Sequence, residues 1–166
     1  MKLTDRQKRQ ILFAVYFLFV IKVIIFKYPF EQLRAIMDTW SKEVVLEGLD
    51  TANFTLFKTI HMYIDYSYML NSFENLAGNV VVFIPYGMFL PSIWNRFRNF
   101  ADTFLAGFLF SLSIEIFQLF SAFGAFDVDD VLLNSVGVII GYLMYMVFEL
   151  IEWIVKKDKK NKKIRK

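Results

Sequence analysis

Four stretches of this chain, residues 11–26, 76–94, 103–123 and 131–155, are mainly apolar and each approaches the length of a membrane span. A spanning helix needs roughly 20 such residues, because the hydrocarbon core is about 30 Å thick and a helix rises about 1.5 Å per residue. A soluble domain of 166 residues could not hide a composition that is 57% hydrophobic and 19% aromatic, so a bilayer is the expected solvent. The first run is followed by "KYPF" and has no small-residue cleavage site, which makes it an anchor rather than a signal peptide. The fold class expected is therefore all-α: a polytopic membrane protein with four transmembrane helices.

Orientation follows from Lys and Arg. The segment "MKLTDRQKRQ" carries four, the link "NRFRNFAD" carries Arg96 and Arg98, and eight of the 19 basic residues lie in the tail "KKDKKNKKIRK". The link between the third and fourth runs carries none. The positive-inside rule then places both termini in the cytoplasm and residues 28–75 and 121–130 outside. The chain divides into a basic N-terminus (1–10), a membrane domain (11–155) and a basic cytoplasmic tail (156–166). The tail reads as a topology signal, and no nucleic acid partner is expected.

The first outer segment is too apolar for a free loop. In "FEQLRAIMDTWSKEVVLEGL", Phe30, Leu33, Met37, Trp40 and Val44 recur at three and four, the pattern of an amphipathic helix lying on the outer leaflet. Residues 53–70 are rich in aromatics and could dip into the interface. Their one His, His61, has Asp65 four residues on but no second His, and the chain has no Cys. No metal and no cofactor is expected.

Polar groups interrupt the apolar runs in a pattern. Asn79 lies near the outer end of the second run. Glu115 precedes Ala122 by seven residues, about 10 Å below the outer end of the third. Gln118 is shallower, and Asp127, Asp130 and Asn134 open the fourth. The costly groups thus gather in the outer half of the membrane. Ser111, Glu115, Gln118 and Ala122 are spaced 4, 3, 4, and Asp127, Asp130, Asn134, Gly137 and Gly141 are spaced 3, 4, 3, 4, so each set forms one stripe of a helix. Gly137 and Gly141 make a G-x-x-x-G seam for close helix packing. Pro85 should kink the second span, with Gly87 allowing close approach beside it. Helix packing and capping would explain some of these groups, but an ionisable residue within a span, Glu115, is a functional candidate by default. No Lys or Arg lies between Arg98 and Lys156. Lys22, about 8 Å from the outer end of the first run, matches the depth of Glu115 and either pairs with it or snorkels to the interface. Lys58 is a second source of charge. Otherwise Glu115 is protonated by desolvation, or a ligand supplies the cation.

Four stretches in order resemble the VanZ-like family of membrane proteins, associated with resistance to the glycopeptide teicoplanin. They are "FTLFKTIHMYI"; "NLAGNVVVFIPYGMFLP", through Gly78, Asn79, Phe83, Pro85, Gly87, Leu90 and Pro91; "SLSIEIFQLF", through Ser111, Glu115 and Gln118; and "FDVDDVLLNSVGVIIGY", through Asp127, Asp130, Asn134, Gly137 and Gly141. Together they cover about residues 54–145. The chain departs from the family pattern at Leu56, where the family usually has Pro, and near Gly124 and Ala125, where it often has an Arg that would partner the acids. The resemblance implies a cell-envelope protein of the bacterial plasma membrane. Its outer polar cluster would bind a membrane lipid, a lipid-linked envelope component or the glycopeptide itself. Two alternatives stand beside it: an intramembrane enzyme acting on a lipid headgroup, with Glu115 as base and Asp130 and Asn134 orienting substrate, and an ion-coupled carrier using the acid as a relay. The chain offers no recognisable nucleophile–base pair, which weighs against the enzyme.

Overall fold

The computed structural model describes residues 3–25, 28–66 and 72–164, without the side chains of 24, 25, 72, 73, 163 and 164. Among them the chain is helical with no strand: α1 Asp5–Val20, a π turn Ile21–Ile25, α2 Phe30–Asp38, α3 Lys42–Thr51, α4 Lys58–Asp65, α5 Ser72–Ile93, a 3-10 turn Asn95–Arg98, α6 Phe100–Ser121 and α7 Val128–Ile164.

Three of these are long and apolar enough to cross a membrane: Glu74–Ile93, Phe100–Ser121 and Val128–Lys162. They match the second, third and fourth predicted spans. Much of their outer surface is bare hydrocarbon, with Leu105, Leu109, Phe120, Leu143 and Val147 each more than half exposed. An apolar belt of that extent suits lipid rather than water. The first predicted span has a different form. Its α-helix starts earlier, at Asp5, because Thr4 and Gln7 form a reciprocal capping box: Thr4 Oγ1 accepts from the Gln7 N–H at 3.2 Å, and Gln7 Oε1 accepts from the Thr4 N–H at 2.9 Å. It ends as an α-helix at Val20 and continues as the π turn that contains Lys22. Residue 26, the last of that predicted span, lies outside the described residues. Residues 5–10 of the N-terminal segment are thus helical. The C-terminal tail likewise continues α7, which at about 1.5 Å per residue is roughly 55 Å long and outreaches a hydrocarbon core of about 30 Å.

The packing seam is glycine on both sides. A Cβ at Gly137 would strike the Val80 carbonyl oxygen and lie 2.9 Å from Phe83 Cβ; one at Gly141 would strike the Ile84 carbonyl oxygen and lie 3.0 Å from the Met88 nitrogen. Gly87 of α5 meets the Val138 carbonyl of α7 in the same way. The G-x-x-x-G stripe therefore lets α5 and α7 touch backbone to backbone. Val20, Phe83, Tyr86, Leu90, Ile114 and Val138 form the core, with Phe13, Tyr16, Trp94 and Phe110 packed on it. α5 continues through Pro85 and Pro91. In the turn before Pro85, the Tyr16 hydroxyl of α1 donates to the Val82 carbonyl at 2.8 Å.

Residues 30–51, expected to hold one continuous amphipathic helix, form two. α2 ends at Asp38, and Ser41 starts α3 by accepting the Val44 N–H at 3.4 Å. Hydroxyl capping at Ser41 outweighs the continuous three-and-four pattern, because a side-chain acceptor outside the helix satisfies an orphan N–H within it. Trp40, in the break, ties the segment to the bundle: its indole N–H donates to the Phe120 carbonyl near the end of α6 at 2.8 Å.

Candidate functional site

The two polar stripes face each other. On α6 the buried residues are Thr103, Gly107, Ser111, Ile114, Glu115, Gln118 and Leu119; they include Ser111, Glu115 and Gln118 of the stripe expected, whereas Ala122 is the half-buried C-cap of the helix. On α7, Asn134 is 2% exposed and its Nδ2 donates to Ser111 Oγ at 2.9 Å. Asn79 of α5 closes the third side, with its Nδ2 2.5 Å from Asp130 Oδ1. Asn79, Glu115, Gln118, Asp130 and Asn134 all line one cavity of about 320 Å³ at the end of the bundle where α5 and α7 begin and α6 ends. Five of the seven predicted ligand-binding residues are therefore brought together.

The other two lie beside it. Lys22 is exposed in the π turn, and its neighbour Val23 rather than Lys22 lines the cavity. Asp127 sits outside the lining and serves as a structural node at the start of α7. Its carboxylate accepts from Asn53 Nδ2 at 2.8 Å, from Thr59 Oγ1 at 2.5 Å and from the Asp129 N–H at 2.8 Å. The backbones of Asn53 and Asp127 form an isolated parallel bridge, with the Asn53 N–H donating to the Phe126 carbonyl at 2.8 Å and the Val128 N–H to the Asn53 carbonyl at 3.0 Å.

Backbone amides do part of the work that a cation would do for the acids. Asp129 is fully buried, and its carboxylate accepts the N–H groups of Phe57 at 2.5 Å, Thr59 at 2.8 Å and Ile60 at 3.2 Å. These are the orphan donors at the start of α4, where the helix dipole also favours an anion. Glu115, 2% exposed, accepts the Asp127 N–H on Oε2 at 3.0 Å and so braces the start of α7 from α6.

Three polar lining residues were not singled out by the sequence: Tyr63 of α4 and Glu74 and Asn75 of α5, which complete the wall with Gly78 and the apolar Val23 and Val82. Asn75 Nδ2 donates to the Tyr63 hydroxyl at 3.2 Å. Burial raises the Tyr63 phenol, the Asp130 carboxylate raises it further, and the Asn75 hydrogen bond opposes them. Tyr63 is thus kept neutral with its O–H proton in place. Asn75 and Asn79 lie four apart on one face of α5, a spacing that extends the Asn79 signal toward the helix start.

One buried atom stands out. Asn134 Oδ1 has no hydrogen-bond partner, although its amide nitrogen is engaged with Ser111. A buried acceptor left unpaired costs about 1–3 kcal/mol, so it marks either strain or the place of a missing donor. Among the described residues no group of three His, Cys, Asp or Glu is placed to hold a metal ion. The arrangement is a polar, water-sized-to-headgroup-sized recess walled by acceptors, with an apolar side.

Residues 13–149 match the VanZ/LLP1 family. The chain is also 35% identical over 74 residues to Protein VanZ of Enterococcus faecium, an overlap of 45% of each chain. It therefore spans a little under half the length of that curated relative in the matched region. No solved structure matches. The family match runs from α1 through α7 and contains every residue of the cavity wall. The chain belongs to the VanZ/LLP1 family.

Proposed function

We propose that the chain is a four-span protein of the bacterial plasma membrane, with α1 and its π turn as the first span and both termini in the cytoplasm. The cavity then opens in the outer half of the bilayer and binds an amphiphilic envelope ligand there. Family membership suggests a membrane protein linked to glycopeptide resistance. The ligand is read as a membrane lipid, a lipid-linked envelope component or the glycopeptide. The observation that carries this reading is the convergence of Asn79, Glu115, Gln118, Asp130 and Asn134, from three helices, on one recess. Groups this costly in hydrocarbon gather where a ligand or water meets them. Lys22 is read as the balance for Glu115 at matching depth.

The test is a susceptibility measurement. An acylated glycopeptide such as teicoplanin can anchor in the outer leaflet, the same half as the cavity. Expression in a susceptible Gram-positive host is expected to lower susceptibility to teicoplanin more than to vancomycin. Glu115→Ala and Asn134→Ala are expected to abolish that difference at equal membrane levels. Unchanged inhibitory concentrations for both drugs at verified expression would remove the resistance role.

A further inference from the structure

A second recess, of about 250 Å³, stands at the end of the bundle opposite the cavity, where α5 ends and α6 begins. Arg9 of α1, Arg98 of the 3-10 turn and Tyr145 of α7 meet there. Both arginines are exposed, and among the described residues neither forms an ion pair. The Arg98 backbone is fixed, because the Tyr142 hydroxyl donates to its carbonyl at 2.6 Å. Tyr145 is only 8% exposed and its ring packs on Tyr142, yet among the described residues its hydroxyl has no hydrogen-bond partner. A phenol so far buried ordinarily finds one, so this hydroxyl marks the place of a missing acceptor. Two carboxylates share the rim, Glu149 and Glu152. Lys156 engages Glu152 at 2.8 Å. Arg9, Arg98 and Glu149 then leave one net positive charge, two guanidiniums against one carboxylate.

We propose that this recess binds the phosphodiester of a singly charged anionic glycerophospholipid, with Arg9, Arg98 and the Tyr145 hydroxyl donating to its phosphate oxygens. A guanidinium presents a planar fork of donors that matches phosphate, and a phenol adds one more. Glu149 disfavours the second negative charge of a phosphomonoester and can accept from a hydroxyl on the head, which suits a glycerol headgroup. Met88, Phe89 and Phe148 form an apolar wall beside the charges, where an acyl chain can lie. A free phosphate would gain nothing from that wall, so the occupant is a lipid. The recess also stands at the ends of two candidate spans, Glu74–Ile93 and Phe100–Ser121, the level at which phospholipid headgroups lie. The site is separate from the cavity lined by Asn134, and a phospholipid can reach it from whichever leaflet that end faces.

The experiment uses the full-length chain released from detergent micelles into a native mass spectrometer. Dioleoyl phosphatidylglycerol, dioleoyl phosphatidylethanolamine and dioleoylglycerol, alike in their chains, are each added at equal concentration. The fraction of protein carrying one adduct is expected to be at least about five-fold higher for phosphatidylglycerol than for dioleoylglycerol, with phosphatidylethanolamine between them. Arg9→Gln and Arg98→Gln are each expected to lower the phosphatidylglycerol adduct about five-fold. Tyr145→Phe, which keeps the ring contact with Tyr142, should lower it about two-fold. Arg34→Gln removes the same charge from the exposed surface of α2 and is expected to leave it unchanged. Glycerophosphoglycerol, the same head without chains, is expected not to displace the lipid at about ten-fold excess; displacement would assign the site to a soluble phosphate ester and overturn the lipid. A phosphatidylethanolamine adduct exceeding that of phosphatidylglycerol would overturn the single-charge match. Loss of the adduct in Asn134→Leu but not in Arg9→Gln or Arg98→Gln would put the lipid in the other cavity and overturn this site. Equal adducts for phosphatidylglycerol and dioleoylglycerol on the unaltered chain, a comparison that depends on no variant folding, would overturn it as well.

Discussion

Adding one methyl group at Gly141 is expected to loosen the whole bundle. Gly141→Ala places a Cβ on the Ile84 carbonyl oxygen, 2.9 Å from its carbon and 3.0 Å from the Met88 nitrogen, and none of these backbone atoms can swing away as a side chain could. α5 and α7 must part to make room. Overpacking of a tight interior costs about 1–3 kcal/mol, and here the upper end is expected because the seam is rigid on both sides. Gly137→Ala, against the Val80 carbonyl, should behave alike. Gly78→Ala is the internal comparison: it lies in the same α5, nothing stands within 4 Å of its added Cβ, and helix propensity should gain about 0.5–1 kcal/mol. Thermal unfolding in detergent should rank Gly78→Ala at or above the unaltered protein and Gly141→Ala well below it. Equal tolerance at both positions would mean that the seam is not the contact described.

Removal of the Asp129 carboxylate is expected to detach residues 53–66 from the bundle. Asp129→Ala would strand the N–H groups of Phe57, Thr59 and Ile60, which the carboxylate now accepts at 2.5, 2.8 and 3.2 Å. An unsatisfied buried donor costs about 1–3 kcal/mol, and because Phe57 is exposed and Thr59 and Ile60 are half-buried, water offsets part of this and a loss of about 2 kcal/mol is expected. Phe57 also sits at φ 67°, a left-handed conformation that costs a non-glycine residue about 1–2 kcal/mol and needs outside support. Asp129→Asn keeps one acceptor but aims an amide N–H at another donor, and should fall between. Hydrogen exchange over residues 53–66 reports the effect directly: protection there should collapse in Asp129→Ala while residues 76–94 keep theirs. Retained protection at Thr59 and Ile60 would show that the capping of α4 comes from elsewhere.

These two expectations differ in how far the sequence foretold them. The glycine seam was legible because helix periodicity is local: Asp130, Asn134, Gly137 and Gly141 fall on one face by spacing alone, and Ser111, Glu115 and Gln118 do the same on α6. The five cavity residues followed from those stripes with Asn79. The Asp129 clamp was not legible, since its partners lie about seventy residues away in a short segment without strong periodicity. The same distance hid Tyr63, which reaches the cavity only because the clamp positions α4. The break at Ser41 was written locally, as a hydroxyl cap, but was masked by an apolar pattern that runs through it. The early start of α1 was likewise written in Thr4 and Gln7. The change to a π turn at Ile21 has no comparable mark in the sequence. Asp127 looked like a wall residue because it shares the α7 stripe; its place at the helix cap, turned toward Asn53 and Thr59, takes it out of the lining.

Orientation decides what the cavity can meet, and the chain lends itself to a direct test because it contains no cysteine. Single cysteines at Asp50, at Glu74 beside the cavity and at Arg98 near the opposite end of the bundle can be treated with a membrane-impermeant maleimide in intact cells. Cysteines at 50 and 74 are expected to react, and the one at 98 only after the cells are permeabilised. Labelling at 98 with protection at 50 and 74 would put the cavity at the cytoplasmic face and contradict an outer-leaflet ligand.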